Sequence, residues 1–191
     1  MNPTWQTKTL KLPCPVTCGV ISDTHASCLE PMYQEALLQH FAGLTWVIHL
    51  GDVTCPAVIS DLETLGFSVI PVKGNNDRLL NTPQVVLMES GPWRVGATHG
   101  GGGGYLEVSR RSRRQVQSIC DVPLHAILHG HSHVPTLTEL DGIVFFNPGS
   151  LGHPRTFRGM DTPECPSIGI MEITHEAIRF RHIFLENSLT G

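Results

Sequence analysis

Short apolar runs alternate with longer stretches of helical periodicity in the first part of the chain. Residues 16–22 (VTCGVIS) read as a buried strand. Residues 31–41 read as a helix, because Met32, Ala36, Leu37 and Phe41 recur at helical spacing. Residues 45–50 (TWVIHL) are a second strand. Residues 56–65 form a second helix, opened by Pro56 and closed by Gly66. Residues 67–72 are a third strand. This β-α-β-α-β order predicts a parallel sheet with helices on its faces.

From residue 84 the pattern changes. Residues 84–90 and 93–98 are strands on either side of Gly91-Pro92, and residues 106–119 form a polar, arginine-rich helix. A strand at 125–129 is followed by strands at 136–140 and 143–146, which flank the hairpin signal Asp141-Gly142. Strands at 168–173 and 177–184 close the chain, and residues 153–166 are an irregular surface loop. The expected fold class is α/β (α+β), a two-sheet mixed β-sandwich flanked by helices. A single domain over residues 1–191 is expected, with no repeat and no linker.

Composition narrows the function classes. A length of 191 residues buries a core without staples. The formal net charge of −4 does not suit nucleic acid or an anionic membrane surface as a partner. No apolar run is long enough for a spanning helix. The polar start, residues 1–12, does not read as a secretory leader, and six scattered cysteines lack any C-x-x-C pair. The expected location is therefore the reducing cytoplasm. Nothing in the sequence speaks against a homo-oligomer. The unusual count is eleven histidines, and histidine is the commonest metal ligand.

Five polar segments follow predicted strands: Ser22-Asp23-Thr24-His25, Gly51-Asp52, Gly74-Asn75-Asn76-Asp77, Thr98-His99-Gly100 and Gly130-His131-Ser132-His133. Strand ends gather on one edge of an α/β sheet, where ligands bind. The donor set Asp23, His25, Asp52, Asn75, His99, His131 and His133 offers oxygen and imidazole, which suit borderline first-row metals. Seven donors exceed the needs of one catalytic zinc. They suit two divalent metal ions that share one carboxylate, and Asp52 is the candidate bridge. Such a pair can clamp a phosphate during in-line displacement.

This ordered set resembles the calcineurin-like metallophosphoesterase superfamily, and within it the small bacterial and archaeal phosphodiesterase branch. The branch reads D-x-H, G-D, G-N-x-D, T-H-G and G-H-S/T-H, then N-P-G-S, here Asn147-Pro148-Gly149-Ser150. The resemblance runs from about Val16 to Arg155. It implies Asp23, His25 and His133 around a first ion, Asn75, His99 and His131 around a second, and Asp52 between them. It further implies hydrolysis of a small phosphoester, with activated water as the nucleophile. Manganese is the first-choice metal, ahead of iron, nickel, cobalt and zinc.

One position departs from many superfamily members, which carry histidine where this chain has Asn76. An amide cannot protonate a leaving group near neutral pH, but it can donate hydrogen bonds to a phosphoryl oxygen. The catalytic candidates are thus Asn76, Asp52 and His99, and activated phosphodiesters are the expected substrates. His153 is an alternative proton source. His49 and His129 read as internal packing residues. The glycine run at 100–104 reads as room beside the metals, with a lid as the sharper alternative, and Arg110, Arg111, Arg113 and Arg114 read as a solvated helix face. Two main rival functions share the pattern, ahead of a protein phosphatase, which would need the missing motif-three histidine and long substrate-groove insertions. One is a non-catalytic scaffold, as in the retromer subunit of this fold, which should have lost ligands. The other is a nuclease, which should carry a basic surface.

Overall fold

The structure, a computed structural model, describes residues 6–159 and 161–185. Residues 1–5 of the polar start and residue 160 of the irregular loop lie outside the described residues. Eleven strands and three α-helices are present among the described residues: β1 (Thr7–Lys11), β2 (Val16–Ile21), α1 (Pro31–His40), β3 (Trp46–His49), α2 (Pro56–Thr64), β4 (Ser68–Pro71), β5 (Val85–Ser90), β6 (Trp93–Thr98), α3 (Val108–Gln117), β7 (Ala126–Leu128), β8 (Thr136–Leu140), β9 (Ile143–Asn147), β10 (Ser167–Ile173) and β11 (Ile178–Phe184). No helix among the described residues is long and apolar enough to cross a membrane.

The strands form two mixed sheets. One has the order β1-β5-β6-β7-β9-β8 and the other β11-β10-β2-β3-β4. The pairs β2–β3 and β3–β4 are parallel, as the alternating pattern predicts. In the six-stranded sheet β6–β7 and β7–β9 are also parallel. Asp141 and Gly142 both have positive φ, 52° and 74°, which is the geometry a tight two-residue hairpin demands.

Apolar residues on both faces of the central strands explain the layering. Val20, Ile48, Met88, Val95, Leu128 and Phe146 fill the space between the sheets. Their chain neighbours turn outward. Ile21 and Val47 pack with Leu37 and Phe41 of the α1 segment and Leu62 of α2. Ile127 and Phe145 pack with Val116 of α3. The result is helix, sheet, sheet, helix.

Strand β1 was not anticipated. Its sequence, TKTLK, is largely exposed with Leu10 as its single apolar residue, so no apolar alternation marks it. It pairs in parallel with β5 at the sheet edge, held by backbone hydrogen bonds and by Leu10 packed against the core between the sheets. The arginine-rich helix is shorter than expected, because Tyr105–Glu107 form a separate 3-10 turn ahead of α3.

Phe146 anchors the interior. It is fully buried and stacks on Phe180 at 5.0 Å and on His182 at 4.7 Å between ring centroids. Phe146→Ala should lower unfolding free energy by ~3–5 kcal/mol through lost burial and a residual cavity. Urea denaturation at constant m-value reads this directly. A loss below about 1 kcal/mol would mean that the layer repacks freely around the gap.

Candidate metal centre

Parallel strands of both sheets bring their carboxyl ends to one edge, and the polar segments leave from there. Asp23 follows β2 and Asp52 follows β3. Asn75 follows β4, His99 follows β6, and His131 and His133 follow β7. Backbone hydrogen bonds stitch these loops together: Asp23 N–H to Gly51 O at 3.0 Å, His25 N–H to Asp52 O at 3.1 Å, and Gly130 N–H to His99 O at 3.2 Å. The sheets are joined across the site by His131 N–H, which donates to Asp23 Oδ2 at 3.1 Å.

Two donor groups converge there, Asp23 with His25 and His133, and Asp23 with Asp52 and His99. Within each group the ligand atoms lie within 4.8 Å of one another. Asn75 joins through Oδ1, 3.0 Å from His99 Nε2. His131 belongs to neither three-residue group. Its ring lies edge-on to His99, 5.2 Å between centroids.

The backbone is strained where the donors leave it. Asp23, His25, Asp52, His131 and His133 all have positive φ, between 47° and 68°. For residues other than glycine this region costs of order 1–3 kcal/mol each, and such residues cluster at functional sites. Gly74 is required for a different reason. A methyl group there would collide with the Asp52 backbone nitrogen and carboxylate.

Hydrogen bonds decide which imidazole nitrogen is available. A carbonyl only accepts, so a ring nitrogen facing one must carry the proton. His99 Nδ1 faces Leu50 O at 2.8 Å, His133 Nδ1 faces His153 O at 2.6 Å, and His131 Nε2 faces Gly103 O at 3.0 Å. In the neutral rings this leaves lone pairs on Nε2 of His99 and His133 and on Nδ1 of His131. Carbonyl partners of this kind are typical behind metal-ligating histidines.

The arrangement fits cations. Asp23 Oδ1 is completely buried and has no hydrogen-bond partner among the described residues. His133 Nε2 stands 3.2 Å from it and His25 Nε2 3.8 Å away, with 3.3 Å between the two nitrogens. The His133 lone pair and the Asp23 Oδ1 oxygen thus face one region, beside His25 Nε2, and a positive charge there would satisfy both. Burial alone would raise the Asp23 pKa, but where His133, His25 and His99 present N–H groups or positive charge instead of lone pairs they hold it well below the usual carboxylate range. Burial likewise opposes ionisation of Asp52, and His99 together with the Asn76 backbone N–H brings its pKa down. Burial disfavours charge on His99 too, yet Asp52 and Asp23 push it up to about 9.

Several partners in the site had no assigned role in the sequence. Asp77 is buried and accepts from Thr54 N–H and Gly74 N–H, each at 2.7 Å, locking two ligand loops together. Ser22 donates to Asp23 Oδ2, and Ser150 donates to the Asp23 carbonyl. Asp77 was visible within the Gly74-Asn75-Asn76-Asp77 motif, but its loop-locking role needs the fold. Asn76 donates through its backbone to Asp52 Oδ1 at 2.8 Å and through its amide to Asp52 Oδ2 at 2.7 Å. The expected internal histidines are fully or nearly buried, His49 against Thr24 and His129 against Ser109.

The sequence profile of the calcineurin-like phosphoesterase superfamily domain matches residues 16–175. A probable metallophosphoesterase of Methanothermobacter thermautotrophicus is 38% identical over 141 residues, 72% of this chain and 78% of the relative. A phosphodiesterase of Methanocaldococcus jannaschii is 27% identical over 183 residues, 88% of this chain and 98% of the relative. Among solved structures, vacuolar protein sorting 29 of Cryptosporidium parvum superposes with a TM-score of 0.70 at 18% identity, covering 91% of this chain and 93% of that one.

A cation taken at His99 Nε2 must displace the proton held there. With the His99 pKa near 9, the affinity should rise as pH rises, by roughly tenfold per unit below that value. Manganese titrations at about pH 6.5 and about pH 8.5 measure the slope. A flat profile would exclude His99 as a ligand.

Proposed function

The chain belongs to the calcineurin-like phosphoesterase superfamily, and on that premise we propose that it is a phosphodiesterase working through two divalent ions, manganese first among them. The observation that carries the reading is the position of one oxygen. Asp52 Oδ2 lies 3.5 Å from His25 Nε2 and 3.4 Å from His99 Nε2, so it reaches one histidine of each donor group, beside Asp23, which belongs to both. Asp23, His25 and His133 would hold one ion and Asn75, His99 and His131 the other, with Asp52 shared. When bound, such ions lower the pKa of water and offset negative charge on a phosphoryl oxygen.

The chain's own residues supply position and shielding. Asp77, Gly74 and the Asn76 donors keep Asp52 oriented, so its shared oxygen is not free to rotate away. A cavity of about 330 Å³ beside His25, lined by Cys28, Leu29, Tyr33 and His153 among others, offers room for one ester arm. No group on Asn76 can protonate a departing oxygen at neutral pH. The ring of His153 stands 5.1 Å from that of His25. Burial and the neighbouring His25 and His133 lower the His153 pKa, so less of it carries the proton a departing oxygen would need. Leaving groups that depart without a proton are therefore preferred, which favours aryl phosphodiesters over alkyl phosphomonoesters. The substrate is a small phosphoester.

Cys14, Cys18, Cys28, Cys55 and Cys120 carry free thiols, which supports a reducing, cytoplasmic setting. The scaffold alternative draws on the likeness to vacuolar sorting proteins, 18% identical for the Cryptosporidium parvum structure and 27% identical over 159 residues for a Schizosaccharomyces pombe relative. The presence of all seven candidate ligands weighs against it. The nuclease alternative lacks the positive charge that phosphate backbones demand.

Asp52→Asn should reduce turnover by more than about a hundredfold and lower occupancy at both metal positions. Turnover of aryl diesters paired with metal analysis reads both, and near-normal turnover in this variant would overturn the bridging role. Separately, a panel of mono- and diesters should rank aryl diesters first. Faster turnover of alkyl monoesters would remove the leaving-group argument.

A further inference from the structure

The five glycines after His99 are not a loose strand of loop. Arg111 Nε donates to Gly100 O at 2.7 Å, and its Nη2 donates to Gly104 O at 2.9 Å. Gln115, one turn further along α3, donates through Nε2 to Gly101 O at 2.9 Å and is itself held by Thr98 Oγ1 at 3.0 Å. Residues 111 and 115 are four apart and so share one face of the helix. Between these anchors, Gly103 O is left turned toward His131 Nε2 at 3.0 Å. The loop also lies close to the donors, since a methyl on Gly101 would approach Asn75 Oδ1 to 2.8 Å.

Taking His131 as a ligand, as the proposed function does, we infer that Arg111, seconded by Gln115, is a positioning residue that clamps the glycine loop so that the Gly103 carbonyl fixes the His131 tautomer and leaves Nδ1 for the second ion. Arg111 never touches that ion. Its planar fork spans two carbonyls that a lysine point charge cannot hold together. With the fork gone, the glycine run has no side chain of its own to keep it in place. His131 would then be free to carry its proton on either nitrogen. Partners behind a metal-ligating histidine are worth 10–100-fold in affinity or activity. The arginines of α3 thus divide by task. Arg110 pairs with exposed Glu107, Arg113 pairs with Asp141, and Arg111 reaches the site.

The experiment compares the full chain with Arg111→Met, Arg111→Lys and, as a control on the same helix, Arg110→Met. In metal-free protein, long-range proton–nitrogen correlation spectra report the His131 tautomer. Wild type and Arg110→Met should show one form with the proton on Nε2, and Arg111→Met a mixture. Manganese binding followed by electron paramagnetic resonance should show the first ion held as in wild type. The second should be weakened on the order of tenfold to a hundredfold in Arg111→Met and less in Arg111→Lys. An unchanged His131 tautomer together with unchanged second-ion affinity in Arg111→Met would overturn the clamp. If Arg111→Met does not fold, the same two readings on Arg111→Lys decide it, in the same directions. A wild type that takes up only one ion would count against the dinuclear reading instead, and the tautomer spectra would still decide the clamp.

Discussion

Two buried carboxylates set the terms for this structure. Asp23 and Asp52 lie side by side with His99 at the meeting of two sheets, almost out of contact with water. Ionised carboxylates in such a place cost several kcal/mol each unless positive charge or donors surround them. The fold answers with donors on some oxygens. Ser22 and His131 N–H serve Asp23 Oδ2, and Asn76 serves both oxygens of Asp52. Asp23 Oδ1 has no such partner among the described residues. The remaining deficit is charge, and it is what suits the site to a cation.

Holding those groups together strains the chain. Five of the seven proposed ligands have left-handed backbone conformations, which only a stiff surround can maintain. That surround is the layered core. Parallel strands packed on both faces deliver each loop at a set height, and Asp77 ties the Asp52 and Asn75 loops to each other. Stability stored in the sandwich is thus spent on conformations that no single loop would adopt alone. Cation binding should return part of it, because the ions engage the folded arrangement only.

A second layer of backbone carbonyls completes the centre. Leu50, His153 and Gly103 each accept from a different imidazole and so determine which nitrogen faces inward. Two of these carbonyls sit in or beside ligand loops. The third belongs to the glycine run, whose shape is borrowed from α3 through Arg111 and Gln115. A helix that supplies none of the seven candidate ligands thus holds the loop beside them.

Much of this was legible in the sequence. Short apolar runs between helical patterns identified the parallel strands, Asp141-Gly142 marked its hairpin, and the polar segments after strands picked out the seven residues that meet at one edge. Those signals are local, carried by periodicity and by residue chemistry at strand ends. Strand β1 was silent because one apolar residue, Leu10, makes no periodic pattern. Asn76 illustrates the same limit within a motif. Its amide is evident from the sequence, but only the fold turns it onto Asp52. The loop-locking role of Asp77, the tautomer of each histidine and the reach of Arg111 into the glycine loop all depend on partners 11 to 28 residues away or on another sheet. By itself the sequence determined which residues could bind metal and on which strand ends they stand. The tertiary structure decided which atoms face one another, because contacts between distant segments are set by how the sheets pack and leave no trace in local spacing.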